Sequence, residues 1–228
     1  MSTPVRPDPD PALIIRLKPM LEMLATDPAS LSSVVDPHSG VEVHLLDSLS
    51  GTVLEELENA DSVVDIGSGA GFPGIPLAAA RPATKFDLID SIGRKVDFME
   101  RAISTLGLDN VKAMKTRSEE WAAAEGRDAY SVATARAVAP LSVLAELASP
   151  LLCEGGSLVA WKGARELEDE LALGAVEAEL AMSLDRVVTV RPFPASRDRH
   201  LYVIRKTGPT PERLPRRPGM ARKRPFAG

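Results

Sequence analysis

The stretch that most constrains this chain runs Ser62-Val-Val-Asp65-Ile-Gly67-Ser-Gly69-Ala-Gly71-Phe72-Pro73-Gly74-Ile-Pro76-Leu77. Val63 to Ile66 reads as a short buried strand and Leu77 to Ala80 as the body of a helix. Gly67, Gly69 and Gly71 fill the turn between them. Such a turn needs residues that tolerate positive φ and let a ligand lie directly on the backbone. Pro73 and Pro76 suit the first helical turn, where a missing N–H costs nothing. Strand, turn and helix N-terminus together predict a nucleotide-type cofactor site at the carboxyl edge of a parallel sheet. A ligand-free structural turn is the plainer alternative, but this many glycines would weaken a purely structural element.

Gly69-x-Gly71-x-x-Gly74 satisfies the dinucleotide fingerprint, a weak pattern on its own. The fuller string, acid-x-Gly-x-Gly-x-Gly after an apolar strand, resembles the first motif of S-adenosylmethionine-dependent methyltransferases. Asp65 suits a ligand bearing an amino acid moiety better than a pyrophosphate. The next predicted strand, Lys85 to Ile89, leads into Asp90, placed to accept hydrogen bonds from ribose hydroxyls; both cofactor types want that acid.

Strands and helices then alternate. Strands are predicted at 62–66, 85–89, 111–115, 130–134, 157–161, 186–190 and 201–205. Helices are expected to about Ala80, then at 94–106, 141–152 and 165–183, with Ser118 opening a short one. Alternation predicts a parallel sheet covered on both faces. The last two strands have no helix between them and must form an antiparallel hairpin. The fold expected is α/β: a doubly wound, Rossmann-like class I methyltransferase sheet with an antiparallel final strand and an N-terminal helical cap. Nicotinamide-binding domains more often end on a parallel strand, although a nicotinamide-dependent oxidoreductase stays open as an alternative. The expected boundaries are a disordered, proline-rich segment 1–10, a helical cap 11–60, the methyltransferase domain 61–207 and a flexible basic tail 208–228. Within the cap, helices are expected at 12–25, kinked or broken at Pro19, and at 41–59, with a loop at 26–40.

Gly67 to Leu77, Leu88-Ile-Asp90-Ser-Ile-Gly-Arg-Lys95 and Thr134-Ala-Arg136-Ala-Val-Ala139 together resemble the RsmG family, once called glucose-inhibited division protein B. The resemblance covers about residues 30–206. It implies an enzyme that methylates guanine N7 in 16S ribosomal RNA, naked or in a small-subunit assembly, with S-adenosylmethionine as donor. Another RNA, a protein or a small molecule is the alternative acceptor. By the same resemblance Gly67 and Phe72 contact the cofactor, Ser118 and Glu119 edge the adenine, and Arg136 binds cofactor. Gly69 and Gly71 shape the turn, and Asp65 and Asp90 complete the cofactor set. Ser118 and Glu119 also fit a helix N-cap with first-turn acids. His44-Leu-Leu-Asp47-Ser48 is similar to the family's His-x-x-Asp-Ser motif, making His44, Asp47 and Arg136 catalytic candidates. Val43 and Val35 stand where arginines are common, and the usual tryptophan- and asparagine-rich N-terminal segment is missing.

Enzymes that methylate exocyclic amines tend to carry an Asn/Asp-Pro-Pro-aromatic sequence where this chain has Thr134 to Pro140. Cytosine C5 enzymes need a nucleophilic cysteine, and the single cysteine, Cys153, has no such context. One cysteine also excludes an internal disulfide, and no metal site is expected. Both absences suit a ring nitrogen with a lone pair, where catalysis reduces to positioning.

The formal net charge is −5, yet residues 208–228 set Arg213, Arg216, Arg217, Arg222, Lys223 and Arg224 against Glu212 alone. That surplus of +5 leaves −10 on the rest and suggests a polyanionic partner. Lys162, Arg197, Arg199 and His200 at strand tips, with Arg216, Arg217, Arg222, Lys223 and Arg224, are the RNA-binding candidates. A fully engaged tail would add about −4 to the slope of log K against log salt. Its removal after Gly208 is expected to leave cofactor affinity unchanged. No apolar run approaches the roughly 18 residues of a membrane span. A cytoplasmic monomer is expected.

Overall fold

The computed structural model describes residues 3–29 and 31–226. The ends of the two expected terminal segments, residues 1–2 and 227–228, lie outside the described residues. The chain begins with α1 (Pro11–Thr26), where the Asp10 carboxylate accepts from the Ala12 amide at 2.8 Å. A broken helical run follows: α2 (Pro37–Gly40), a π-helical turn Val41–Leu46, α3 (Asp47–Leu49), a 3₁₀ turn Ser50–Val53 and α4 (Glu55–Glu58). Then come β1 (Ser62–Ile66), α5 (Gly74–Ala80), β2 (Lys85–Asp90), α6 (Gly93–Leu106) and β3 (Val111–Lys115). Next are α7 (Ser118–Ala122), β4 (Tyr130–Arg136), α8 (Leu141–Ala148) and β5 (Leu152–Lys162). The last elements are α9 (Leu167–Gly174), α10 (Glu177–Leu180), β6 (Met182–Val190), β7 (Arg199–Lys206) and α11 (Met220–Lys223).

Among the described residues the strands form one sheet of order β3-β2-β1-β4-β5-β7-β6. β7 runs antiparallel to both its neighbours, so β6 points the same way as the first five strands. Neighbours on a strand face opposite layers. Val63 therefore joins the core under α1, the broken helical run, α5 and α6, while Val64 joins the core under α8 to α10. The connections place the switch in strand order between β1 and β4, and the carboxyl ends of those two strands define the place for a ligand. Gly107, in the left-handed region at φ 59°, stops α6 as expected.

Several boundaries move. Of the kink or break expected at Pro19, the break is not found: α1 runs through it for 16 residues, held by buried Leu17, Met20, Leu21 and Leu24. The expected single helix 41–59 is instead the broken run, bent so that its apolar stripe follows the sheet. The expected helix 141–152 ends at Ala148, and β5 begins at Leu152, bulging past Gly155 before rejoining β4 at Ser157. The expected helix 165–183 divides into α9 and α10, because Met182 already belongs to β6.

Both terminal segments correct the composition reading. Val5, expected to be disordered, bridges edge strand β6: its amide donates to Thr189 O and its carbonyl accepts from the Arg191 amide, both at 2.9 Å. An edge strand offers unpaired backbone groups, and this segment uses two of them. The tail does not run free. Leu214 and Ala221 are buried against the α8 side of the sheet, and Arg216 grips the Glu146 carboxylate with both Nε and Nη2 at 2.6 and 2.5 Å. Prolines fix the path of such a segment as readily as they prevent a helix.

Candidate active site

A cavity of about 420 Å³ opens at the carboxyl ends of β1, β2 and β4. The glycine turn forms its floor. The Gly67 and Ser68 amides donate to Ile89 O at 2.9 and 3.1 Å, which fastens the turn to the end of β2. Gly67 sits at φ +66°, and a Cβ there would meet the neighbouring Val138 Cγ2 at 3.1 Å. A side chain there would crowd Val138, and glycine takes this backbone conformation without strain. Gly69 and Gly71, at φ 62° and 89°, shape the turn without lining the cavity.

Asp90 is the cavity's rigid acceptor. Its Oδ2 accepts from the Gly69 amide at 3.0 Å and from Lys95 Nζ at 3.4 Å, and its Oδ1 accepts from the Ile92 amide at 2.9 Å. Ser118 and Glu119 form the wall beyond β3, with Ser118 Oγ donating to Glu119 Oε2 at 3.2 Å. Ile92 lines the cavity while 40% exposed, an apolar side chain that a flat apolar ligand would cover. Opposite lie Ala137 and Val138; Ala137 is held at φ 55°, an uncommon and strained setting for alanine.

Asp65 does not reach this cavity, contrary to its assignment from the sequence. It is fully buried, accepting from Thr134 Oγ1 at 2.7 Å and from the Gly74 amide at 3.1 Å. The reason is register: Asp65 and Thr134 are direct partners across β1 and β4. Burial pushes its carboxyl above the usual range, opposed by these hydrogen bonds. Asp65 braces the glycine turn against β4.

A second cluster stands beside the cavity, reached from Ala137 one residue back along β4. Arg136 Nη1 donates to Asp47 Oδ2 at 3.0 Å and to Val43 O at 3.2 Å. Arg199 Nε lies 3.2 Å from Asp47 Oδ1 as an ion pair, off the line of a hydrogen bond. Phe72 stacks on His44 with ring centroids 4.6 Å apart and lies under the Arg136 guanidinium at 5.3 Å. Arg136 and Phe72, assigned to the cofactor by resemblance, thus adjoin the cavity rather than line it. The π-helical turn makes this possible by presenting both His44 and Asp47 to the sheet edge; such turns recur at functional sites. Trp161, which the sequence reading missed, donates from Nε1 to Asp47 O at 2.9 Å and to Ser50 Oγ at 3.2 Å. An aromatic residue at the carboxyl end of a strand was the available signal.

His44 Nε2 lies 2.9 Å from Ser32 Oγ and 3.1 Å from Val34 O. The carbonyl can only accept, which assigns the ring proton to Nε2 and leaves buried Nδ1 a bare acceptor. Burial is the main cause lowering the His44 pKa, so the ring is neutral at pH 7.

The RNA-binding candidates divide. Lys162 is tied to Asp169 at 2.7 Å, because Asp169 caps α8 through the Leu141 amide and needs a counter-charge. Arg199 belongs to the Asp47 cluster, and His200 Nδ1 contacts Gly163 O at 2.7 Å. Arg216 is committed to Glu146, and Arg222 Nη2 donates to Val138 O at 2.9 Å. Arg197, Arg217, Lys223 and Arg224 are exposed. Among the described residues no group of acidic, His and Cys side chains is placed to hold a metal, and no helix is long and apolar enough to cross a membrane.

A doubly wound sheet with an antiparallel β7, a glycine turn after β1 and an acid ending β2 defines a class I methyltransferase fold, whose cofactor is S-adenosylmethionine. Solved structures agree on the fold: a SAM-dependent methyltransferase from Aquifex aeolicus superposes with TM-score 0.56 at 18% identity, covering 88% of this chain and all of that one. The ribosomal protein L11 methylase from Lactobacillus delbrueckii subsp. bulgaricus gives 0.52 at 16% identity, over 71% of this chain and 79% of its own.

The model of the family described as rRNA small subunit methyltransferase G matches residues 17–202, and the chain belongs to that family. Ribosomal RNA small subunit methyltransferase G of Rubrobacter xylanophilus is 42% identical over 205 residues, 88% of this chain and 78% of the relative. That of Pelotomaculum thermopropionicum is 38% identical over 199 residues, 86% and 83% of the two chains.

Proposed function

We propose that this chain methylates N7 of a guanine in 16S ribosomal RNA, naked or in an assembling small subunit, by in-line displacement. The observation that carries the reading is the Arg136–Asp47–His44–Phe72 cluster, built against the Gly67 and Val138 end of the cofactor cavity. Bound S-adenosylmethionine supplies an electrophilic methyl on a sulfonium. Asp90 would hold its ribose; three protein donors already use three of roughly four acceptor directions. The long Lys95 contact is the one a ribose hydroxyl displaces most easily. Gly67 would carry the amino acid portion and Glu119 the adenine edge.

Guanine N7 has a lone pair and no proton to lose, so no group here must act as a base. The N7 pair forms the bond to the methyl carbon, and the pair of the broken C–S bond stays on sulfur. The chain's part is to hold the base in line. Arg136 presents donors toward guanine O6, and Asp47 fixes the guanidinium in that aim. His44, its ring buried and stacked on Phe72, shapes the wall beside Arg136. Cys153 has no part: it follows Leu152, which pairs with Tyr130 at the start of β4, roughly 20 Å down the sheet from the cofactor edge.

Exposed Arg197, in the loop between β6 and β7, and exposed Arg217, Lys223 and Arg224 supply phosphate contacts. Five of the tail's six cations are exposed, but Arg213 and Arg222 already donate to the backbone carbonyls of Glu179 and Val138, and Arg216 is paired with Glu146. With only the other three counted, the tail's share of the salt slope falls from about −4 to about −2. The test is transfer of labelled methyl from S-adenosylmethionine to 16S rRNA and to small subunits, followed by nucleoside analysis. 7-Methylguanosine is expected; N2-methylguanosine, N6-methyladenosine or 5-methylcytidine would refute the ring-nitrogen assignment.

A further inference from the structure

We infer that the carboxyl-terminal segment Gly219 to Arg222 is part of the cofactor site, strapped across the adenine end of the cavity. This rests on the S-adenosylmethionine reading. The segment is first pinned well below the cavity: Leu214 is buried, its carbonyl accepts from Arg127 Nη1 at 3.0 Å, and Arg216 holds Glu146 with two bonds. Gly219, at φ 82°, then turns the chain over the opening. Its amide donates to Glu119 Oε1 at 2.7 Å, on the wall after β3. Three residues on, Arg222 Nη2 donates to Val138 O at 2.9 Å, on the wall after β4. Gly219, Ala221 and Arg222 all line the cavity.

One short segment therefore bonds to two opposite lips of the site and closes the gap between them. Gly219 is a positioning residue: its amide fixes the carboxylate assigned to the adenine edge. Arg222 forms a wall that a ligand must pass or displace. Ligand binding and strap docking are consequently linked, and each stabilises the other by the same free energy. The basic composition that reads as a free RNA-seeking tail is in part a set of anchors for this strap.

The experiment compares the full chain with one ending at Pro218, which keeps Leu214 and the Arg216–Glu146 pair, and with Arg222→Ala. Calorimetric titration with S-adenosylhomocysteine and with adenosine is the readout, folding being checked by circular dichroism. Truncation should weaken both ligands about tenfold and in equal proportion, since the strap touches the half they share. Arg222→Ala, which deletes one bond and no buried carbon, should weaken both about threefold. In the full chain, S-adenosylhomocysteine should slow tryptic cleavage after Arg222 and Lys223. Truncated protein that binds both ligands as the full chain does, or cleavage that ignores the ligand, overturns the inference. A full chain that binds no S-adenosylhomocysteine overturns the cofactor reading itself, and the strap with it.

Discussion

Asp47→Ala is the most demanding perturbation of the substrate-side cluster. In the wild-type chain one carboxylate faces two guanidiniums, Arg136 at 3.0 Å and Arg199 at 3.2 Å, with side-chain exposures of 11% for Asp47, 15% for Arg136 and 36% for Arg199. The Arg136 contact is a well-aligned, charge-assisted hydrogen bond in a mostly dry place, a class that contributes about 1.5–3 kcal/mol. The Arg199 contact is half open to water and poorly aligned, and contributes roughly 0–1 kcal/mol. Together they put the loss near 3 kcal/mol, or a fall in Tm of roughly 6–12 °C for a chain of this length. Asp47→Asn keeps an acceptor for Arg136 and should lose about half of that. Differential scanning calorimetry reads the stability, and titration with S-adenosylhomocysteine reads the cofactor site. Affinity for that ligand should hold in both variants, because Asp47 does not line its cavity, while kcat on rRNA falls as Arg136 loses its aim. A Tm within 2 °C of wild type for Asp47→Ala, or a loss of cofactor affinity with unchanged kcat, would refute the division of labour between the two clusters.

Other outcomes follow from single atoms. Gly67→Val places a β-branched side chain at φ +66° and against Val138, so S-adenosylhomocysteine binding measured by calorimetry should vanish while Gly67→Ala retains a weak remnant. His44 is held neutral by burial, its folded pKa lying below the ordinary 6.5. The folded state therefore loses stability as pH drops below 6.5 and goes on losing it until the folded pKa is passed, and a pH series of Tm should show that limb flattened in His44→Gln. Cys153→Ala should leave methyl transfer unchanged; a dead variant would contradict its placement at the amino end of β5.

The parallel part of the sheet and the glycine turn were legible because they are local chemistry: alternation of element types, glycines where φ must be positive, an acid ending a strand. That Asp90 and Gly67 would stand where the strands end was legible for that reason. Asp65 was misread because its role depends on register with Thr134, and register is a property of two strands at once. His44 and Asp47 were recognisable as a motif, but the π-helical turn that aims them follows from packing of the broken helical run on the sheet. Trp161 looks like core from sequence and is indeed buried, while its Nε1 holds the Asp47 backbone in place. The tail was the largest miss. Composition counts charges and prolines, and it does not record that Glu146 waits on the body for Arg216 and Glu119 for the Gly219 amide.

The position of β7 also constrains the order in which the molecule can be assembled. β7 is made last among the strands yet lies inside the sheet, between β5 and β6. During vectorial synthesis the first five strands can zip together as each crossover is completed. β6, although already translated, has no strand to join until β7 arrives. The nascent chain must therefore hold β6 in waiting and dock it with β7 as a ready-made hairpin, whose contacts are short in sequence and quick to form. A fragment ending at Val190 should accordingly show rapid amide exchange along β6, whereas the strands from β3 to β4 keep their protection. Since the strap follows β7, the cofactor pocket gains its last wall only after the sheet is complete, so a partly made enzyme cannot hold its methyl donor tightly.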